Sequence, residues 1–292
     1  MRGEATYNII LPVYNAEGSI QACIDSIVSQ TFEDWRLLIL DDGSTDKTWD
    51  MLKSYTDKRI IAWQQPNAGA YVARNNLIEN VNCKFLAFID ADDTWSPTKL
   101  EKQLEVHNAG YGFVCCDAVI VSPQSSLHKA TFGKINGLTG NAYSAVDLLR
   151  HRANFIIQSS VSIKFSYYKK VGPFVEERLA ADFIQWLRVL ALLPNKEFYY
   201  MNEVLCSYTI HENNISKDIT KKFKCFENGI KKVMCEFDCE TQDLIQLKIE
   251  KNKILVYAKE RKIIGLLKLA IASPIVFSSV LIERLHFYLN SR

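Results

Sequence analysis

The chain has 292 residues, 48% of them hydrophobic, and a formal net charge of +2. That composition supplies a sizeable core and excludes an intrinsically disordered chain, and so balanced a charge argues against nucleic acid as a partner. Eight cysteines occur without a Cys-x-x-Cys pair, and Pro12 stops the first apolar run, Ile9-Ile10-Leu11, too early for a secretory signal, so reduced thiols are expected. The spacing of Cys225, Cys235 and Cys239 fits no common zinc site.

Strand and helix alternate through the first half. Tyr7–Leu11 predicts a strand, and Ser19–Gln30 a helix with Ile20, Cys23, Ile24, Ile27 and Val28 on one face. Trp35–Leu40 is the second strand and Asp46–Tyr55 the second helix. A strand at Ile60–Trp63, a helix at Ala70–Asn80, a strand at Phe85–Ile89, a helix at Pro97–Asn108 and a strand at Phe113–Val121 follow. Such alternation implies an α/β fold with a mostly parallel central sheet flanked by helices, binding ligands outside the carboxyl ends of its strands. Ser122–Gly140, rich in polar residues and glycine, reads as a long functional loop. Ala181–Leu193 reads as a helix, and Glu197–Met201 and Val204–Tyr208 as two short strands. From Lys217 onward the pattern turns to basic helical segments.

Three strand ends carry the chemistry. After the first comes Pro12-Val13-Tyr14-Asn15, after the second Asp41-Asp42-Gly43-Ser44, and after the fourth Asp90-Ala91-Asp92-Asp93. Three carboxylates at the mouth of a buried strand repel one another and resist desolvation, and a divalent cation relieves both costs. Oxygen ligands of this kind suit Mg²⁺ or Mn²⁺, which bridge to phosphate oxygens. The bland alternative is a helix N-cap at Asp93 or Thr94. No strand end carries the Gly-x-Gly-x-x-Gly turn of a dehydrogenase. Tyr14 can stack on a base, Asp42 can accept from a uracil imino group or a ribose hydroxyl, and Arg74 can reach a phosphate or the base.

These motifs, with Ser29-Gln30-Thr31, Asn67-Ala68-Gly69 and Ala73-Arg74-Asn75, resemble the inverting glycosyltransferases of family 2, of the bacterial surface-polysaccharide type. The resemblance covers about the first 110 residues and implies a GT-A nucleotide-diphospho-sugar transferase fold. It implies a nucleotide-sugar site at Pro12, Tyr14, Glu17, Asp41, Asp42, Asn67, Arg74, Asp90 and Ala91. It also implies Mn²⁺ or Mg²⁺ at Asp92 and His211, and a general base at Asp182. The Glu that usually precedes that base is Ala181 here. The Gln-x-x-Arg-Trp motif of processive synthases is absent, which favours single additions. The expected division is residues 1–216 as catalytic domain, split near residue 110 into a nucleotide-sugar half and an acceptor half, and residues 217–292 as a C-terminal helical segment.

Ile263–Ile282 is almost uncharged, with Lys268 near its start and Pro274 in its middle. That pattern, with Lys217, Lys221, Lys222 and Lys224 nearby, fits helices lying on the cytoplasmic face of the inner membrane better than a span. Peripheral attachment there implies a lipid-linked glycan acceptor. The rival readings are a nucleotidyltransferase of similar sheet topology and a non-catalytic, membrane-associated family member. Donor choice is expected from Ser122–Gly140 and Asn154–Ser160.

Overall fold

The structure, a computed structural model, describes residues 5–79, 81–122, 125–131, 144–150, 156–193, 197–210 and 219–259, with 273, 276 and 280. Strand β1, Ala5–Val13, is apolar along almost its whole length and is buried on both faces, as a central parallel strand must be. It lies between β2, Trp35–Asp41, and β4, Cys83–Phe88, parallel to both. Strand β3, Ile60–Gln64, extends the parallel set beyond β2. Pleating sends Ile9 and Leu11 into one core, with helices α1 (Ile20–Val28) and α4 (Lys99–Asn108), and Ile10 into the other, with α3 (Ala70–Glu79). Helix α1 buries Ile20, Cys23, Ile24 and Ile27, as its spacing predicts, while Val28 stays partly exposed. A short α2, Thr48–Lys53, follows β2.

Beyond β4 the sheet becomes mixed. The order is β3-β2-β1-β4, then β7 (Ser162–Lys164), β5 (Phe113–Ser122) and β6 (Ser125–Thr131), with β8 (Phe198–Thr209) also paired to β5. Strand β5, Phe113–Ser122, matches its expected position. Strand β7, only Ser162–Lys164, bridges β4 and β5 antiparallel to both. Part of the stretch expected to be a loop forms β6, Ser125–Thr131, antiparallel to β5; residues 132–140 lie outside the described set. The two expected short strands are one, β8, Phe198–Thr209, running parallel to β5. Its register slips between Cys116 and Ala118, and that irregularity interrupts the alternation that a sequence shows.

Helix α5, Ala145–Arg150, precedes β7, and α6, Phe165–Val171, follows it. Helix α7, Ala181–Leu192, lies on the α3 side of the sheet. After β8 come α8, Ile219–Val233, and α9, Cys239–Lys259. Phe226, Ile230 and Val233 of α8, with Ile245 and Ile249 of α9, join the same apolar cluster as Ile184 and Leu187 of α7. A β-carbon at Gly229 would stand 2.7 Å from the end of Ile184, so α8 passes close to α7 at that glycine. These two helices therefore pack into the core rather than standing apart. Among the described residues no helix is long and apolar enough to cross a membrane. Most of Ile263–Ile282 lies outside them.

Candidate active site

Because β1, β2 and β4 are neighbours and parallel, their carboxyl ends open on one rim. The first two loops are clasped together. Asn15 takes the left-handed conformation (φ 48°), and its Oδ1 accepts the Thr45 N–H at 2.8 Å. Ser44 Oγ accepts the Asn15 N–H, and Glu17 Oε2 accepts the Lys47 N–H at 3.0 Å. Glu17, expected on the donor, is thus engaged in the clasp. Pro12 is buried beneath it, and Tyr14 stands out at 51% exposure, open to a flat ligand.

The paired aspartates after β2 are both buried. Asp41 accepts from Ser44 N–H and Oγ–H and, at 2.8 Å, from Gln64 Nε2. Asp42 accepts from Gln65 Nε2 at 2.7 Å, Ala68 N–H at 2.9 Å and Gly69 N–H at 2.8 Å. Read from the sequence as nucleoside contacts, in this structure they shape the turn and the 67–69 loop. Gly43 (φ +75°) passes so close that an added β-carbon would meet Asn67 N at 2.9 Å, which ties that glycine to the same loop. Asn67 itself is exposed beside it.

The acidic rim after β4 is organised from far along the chain. Asp90 is bonded by Arg74 Nη2 of α3 at 2.7 Å, with the Arg74 side chain 3% exposed. Ser159 Oγ accepts the Asp90 N–H at 3.0 Å and donates to the Asp93 carboxylate. Thr209, ending β8, donates its N–H to Asp93 at 2.9 Å and its hydroxyl to the Asp92 carbonyl at 2.6 Å. Asp93 is therefore a buried brace and does not cap α4, whose N-cap position is Thr98. Ala91 and Asp92 remain partly exposed at the opening. His211 lies outside the described residues, two positions after Thr209.

Asp182 enters from the opposite side, in the first turn of α7. It lies close enough to Asp90 to act on its charge. Burial raises Asp90 to about 6 against the pull of Arg74, and Asp92 and Asp182 push it the same way as burial. Burial, with Asp92 and Asp90 adding to it, also holds Asp93 well above the usual carboxylate range. Arg74 pairs with Asp90, and the charges of Asp92 and Asp182 act on that same carboxylate. Among the described residues no three side chains form a ready metal cage. The surplus negative charge nonetheless fits a divalent cation held by one or two carboxylates, with its other positions left to phosphate oxygens and water. Arg74 Nε and the side-chain amide of Gln158, next to Ser159, are among the buried polar groups with no hydrogen-bond partner among the described residues. The sequence reading missed Thr209 and gave Ser159 only a place in the 154–160 stretch expected to choose the donor, because their bonds to the acidic rim are contacts no local pattern encodes.

Residues 8–172, more than half of the chain, match the family model described as Glycosyl transferase family 2. The chain belongs to glycosyltransferase family 2. TuaG of Bacillus subtilis, named for teichuronic acid biosynthesis, is 31% identical to the enzyme over 74% of this chain and 84% of its own. WfgD of Escherichia coli, a UDP-Glc:alpha-D-GlcNAc-diphosphoundecaprenol beta-1,3-glucosyltransferase, is 30% identical over 74% of this chain and 82% of its own. The mannosyltransferase PcManGT of Pyrobaculum calidifontis, solved with GDP-Man and Mn²⁺, shares the fold at a TM-score of 0.61 and 12% identity, over 98% of this chain and 81% of that one. The protein is thus a glycosyltransferase with an α/β fold of the GT-A kind, as its first strand ends imply.

Proposed function

We propose that this glycosyltransferase is metal-dependent and inverting, and moves one sugar from a UDP-sugar to a hydroxyl of a lipid-linked glycan in surface-polysaccharide synthesis. The observation that carries the reading is the action of the Asp92 and Asp182 charges on the Asp90–Arg74 pair. Tyr14 would stack on the uracil, and Asp90 would face the ribose. Asp92 would hold Mn²⁺ or Mg²⁺, with His211 as a second ligand. When bound, the metal supplies Lewis-acid stabilisation of charge on the departing diphosphate. Arg74, with its buried Nε unpartnered among the described residues, has a donor to spare for that anion. The Gln158 amide, equally unpartnered, suits the hydroxyls of the transferred pyranose.

Asp182 does the proton work. The acceptor hydroxyl attacks the anomeric carbon as Asp182 takes its proton, and the bond from that carbon to the diphosphate oxygen breaks. A single displacement turns an α-linked donor into a β-glycoside, and leaves the proton on Asp182 and the electron pair on UDP. Lipid linkage and a site on the cytoplasmic face of the inner membrane are supported by exposed Lys221 and Lys224 on α8, by the apolar run 263–282 and by the acceptor in the name of WfgD. A UDP-release assay across UDP-, GDP- and dTDP-sugars, with and without Mn²⁺, tests the reading. Acceptor-dependent release of UDP that stops on chelation is expected. Release of inorganic diphosphate, or metal-independent transfer, would overturn it.

A further inference from the structure

The chain just after the acidic stretch runs antiparallel to the end of β8, and the ties between the two change character along it. Among the buried residues they are backbone to backbone. The Ser96 N–H donates to the Leu205 carbonyl at 2.9 Å, Trp95 pairs with Cys206, and the Ser207 N–H donates to the Thr94 carbonyl at 2.8 Å. Toward the rim, side chains take over. Ser207 Oγ accepts the Thr94 N–H at 2.9 Å. Thr209, the last residue of β8, then reaches both aspartates that follow Ala91: its N–H donates to the Asp93 carboxylate at 2.9 Å and its hydroxyl to the Asp92 carbonyl at 2.6 Å.

The turn that carries Asp92 is fastened at its two ends. The Asp93 N–H closes it on the Asp90 carbonyl at 3.1 Å, and Ser159 Oγ accepts the Asp90 N–H while donating to the Asp93 carboxylate. The Thr209 hydroxyl adds a tie between those ends, at the peptide of Asp92 itself. Threonine suits that task, because its β-branched side chain favours a strand and is stiff about χ1, so the hydroxyl keeps its direction at little cost in freedom. A small divalent cation is exacting about the placement of its oxygen ligands, and a carboxylate whose backbone drifts binds it less well.

We propose that Thr209 is a positioning residue for the metal-binding carboxylate: its hydroxyl, coming from the end of β8, fixes the peptide of Asp92 and so sets where that carboxylate meets Mn²⁺. This rests on the reading of Asp92 as a metal ligand, and it gives the acceptor side of the sheet a part in metal binding that acts through Asp92.

The test is Mn²⁺ calorimetry in the presence of UDP, with turnover measured across Mn²⁺ concentrations, on Thr209→Val, Thr209→Ser and Ser207→Ala. Thr209→Val is close in shape, keeps the N–H that holds Asp93 and removes the hydroxyl. It is expected to weaken Mn²⁺ binding about tenfold, the scale on which groups supporting a metal ligand act. Its turnover should fall at low Mn²⁺ and return to within about twofold of wild type at saturation, a recovery that a damaged fold does not give. Thr209→Ser keeps the hydroxyl and should stay within about twofold of wild type in both readouts. Ser207→Ala breaks the neighbouring tie to Thr94 and should lower the melting temperature while changing Mn²⁺ affinity less than about twofold. Should Thr209→Val fail to fold, Thr209→Ala is read in the same titration. Wild-type Mn²⁺ affinity without the hydroxyl, equal weakening in Thr209→Ser or Ser207→Ala, or a turnover deficit that persists at saturating Mn²⁺ would overturn the proposal. A wild-type enzyme that takes up no Mn²⁺ with UDP present would instead remove the reading of Asp92 on which it stands, so the two failures are distinguishable.

Discussion

Two groups of titratable side chains sit on this sheet, and they are built on opposite principles. Along one face of α4, Lys99 donates to Gln103 Oε1 at 2.8 Å and lies 4.0 Å from the Trp95 ring centroid, and Gln103 donates on to the Ser160 carbonyl. His107 stacks on Phe85 with ring centroids 4.0 Å apart. Its Nδ1 faces the Tyr111 carbonyl at 2.9 Å and must carry the proton, which leaves Nε2 to accept from Ser162 Oγ at 2.8 Å. The groups in that row have complementary partners. At the rim, by contrast, the charges of Asp92 and Asp182 add to burial in raising Asp90 against the pull of Arg74, and those of Asp92 and Asp90 do the same to Asp93. Lys99, His107 and Asp93 are buried, whereas Asp90, Asp92 and Asp182 reach the opening. Only the second group keeps like charges together at a standing cost, and that kind of cost points to a ligand.

Substitutions in the two regions should therefore diverge. The largest effect is expected from Asp182→Asn. It should lower transfer by about 10²–10⁴-fold while UDP-sugar affinity, read by calorimetry, stays near wild type. Transfer at the wild-type rate would remove the rim's base. His107→Leu should act the other way, costing about 1–3 kcal/mol of stability by stranding the Tyr111 carbonyl and leaving kcat alone. Thermal unfolding and turnover on the same preparation check both halves of that statement. Asp93→Asn combines the two regimes: removing one of the crowded charges should raise the melting temperature by about 2–4 °C, the scale of 1 kcal/mol, while transfer falls as the brace to Thr209 loosens. A drop in both would mean that Asp93 is an ordinary structural carboxylate.

The smallest expected effect is in the pH dependence of stability. Burial pushes His107 down to about 3, whereas an unfolded histidine titrates near 6.5. Below pH 6.5 the unfolded chain therefore binds a proton that the folded chain refuses. The His107 contribution is whole above that value and is lost progressively as pH falls toward 3. Asp90, raised to about 6, has the opposite sign: the folded form binds its proton first, so this group costs stability as pH rises through 6. Melting curves of wild type and His107→Leu between pH 7 and 4 should converge on acidification, and parallel curves would show that the imidazole is not buried neutral.

The sequence exposed the region where motif and contact are neighbours. Strands β1 to β4 follow from apolar runs bounded by turn residues, and the Asp90–Asp93 stretch shows its chemistry because adjacent carboxylates cannot avoid one another. The acceptor side was less legible. Strand β7 has three residues and no period to detect, β6 lies in a stretch whose polar residues suggest a loop, and the irregularity in β8 made one strand look like two. The same reason hid the supports of the site. Asp93 meets Ser159 and Thr209 from 66 and 116 residues away, so sequence could offer it only a share in the acidic cluster or a local cap. The family resemblance implies Asp41 and Asp42 at the nucleotide-sugar site, and their bonds within the protein were not legible in the sequence. Their acceptor oxygens go to Ser44, Gln64, Gln65 and the 68–69 backbone, partners that only the folded loop supplies.

Whether the crowded rim exists to hold a metal–diphosphate pair is settled most directly by titrating Mn²⁺ into the folded enzyme, with and without UDP, beside Asp92→Ala. Manganese should bind with UDP present, weakly or not at all without it, and not to Asp92→Ala. Should the folded wild type take up neither Mn²⁺ nor Mg²⁺ in the presence of UDP, the four aspartates would need another explanation and the proposed chemistry would fall with them.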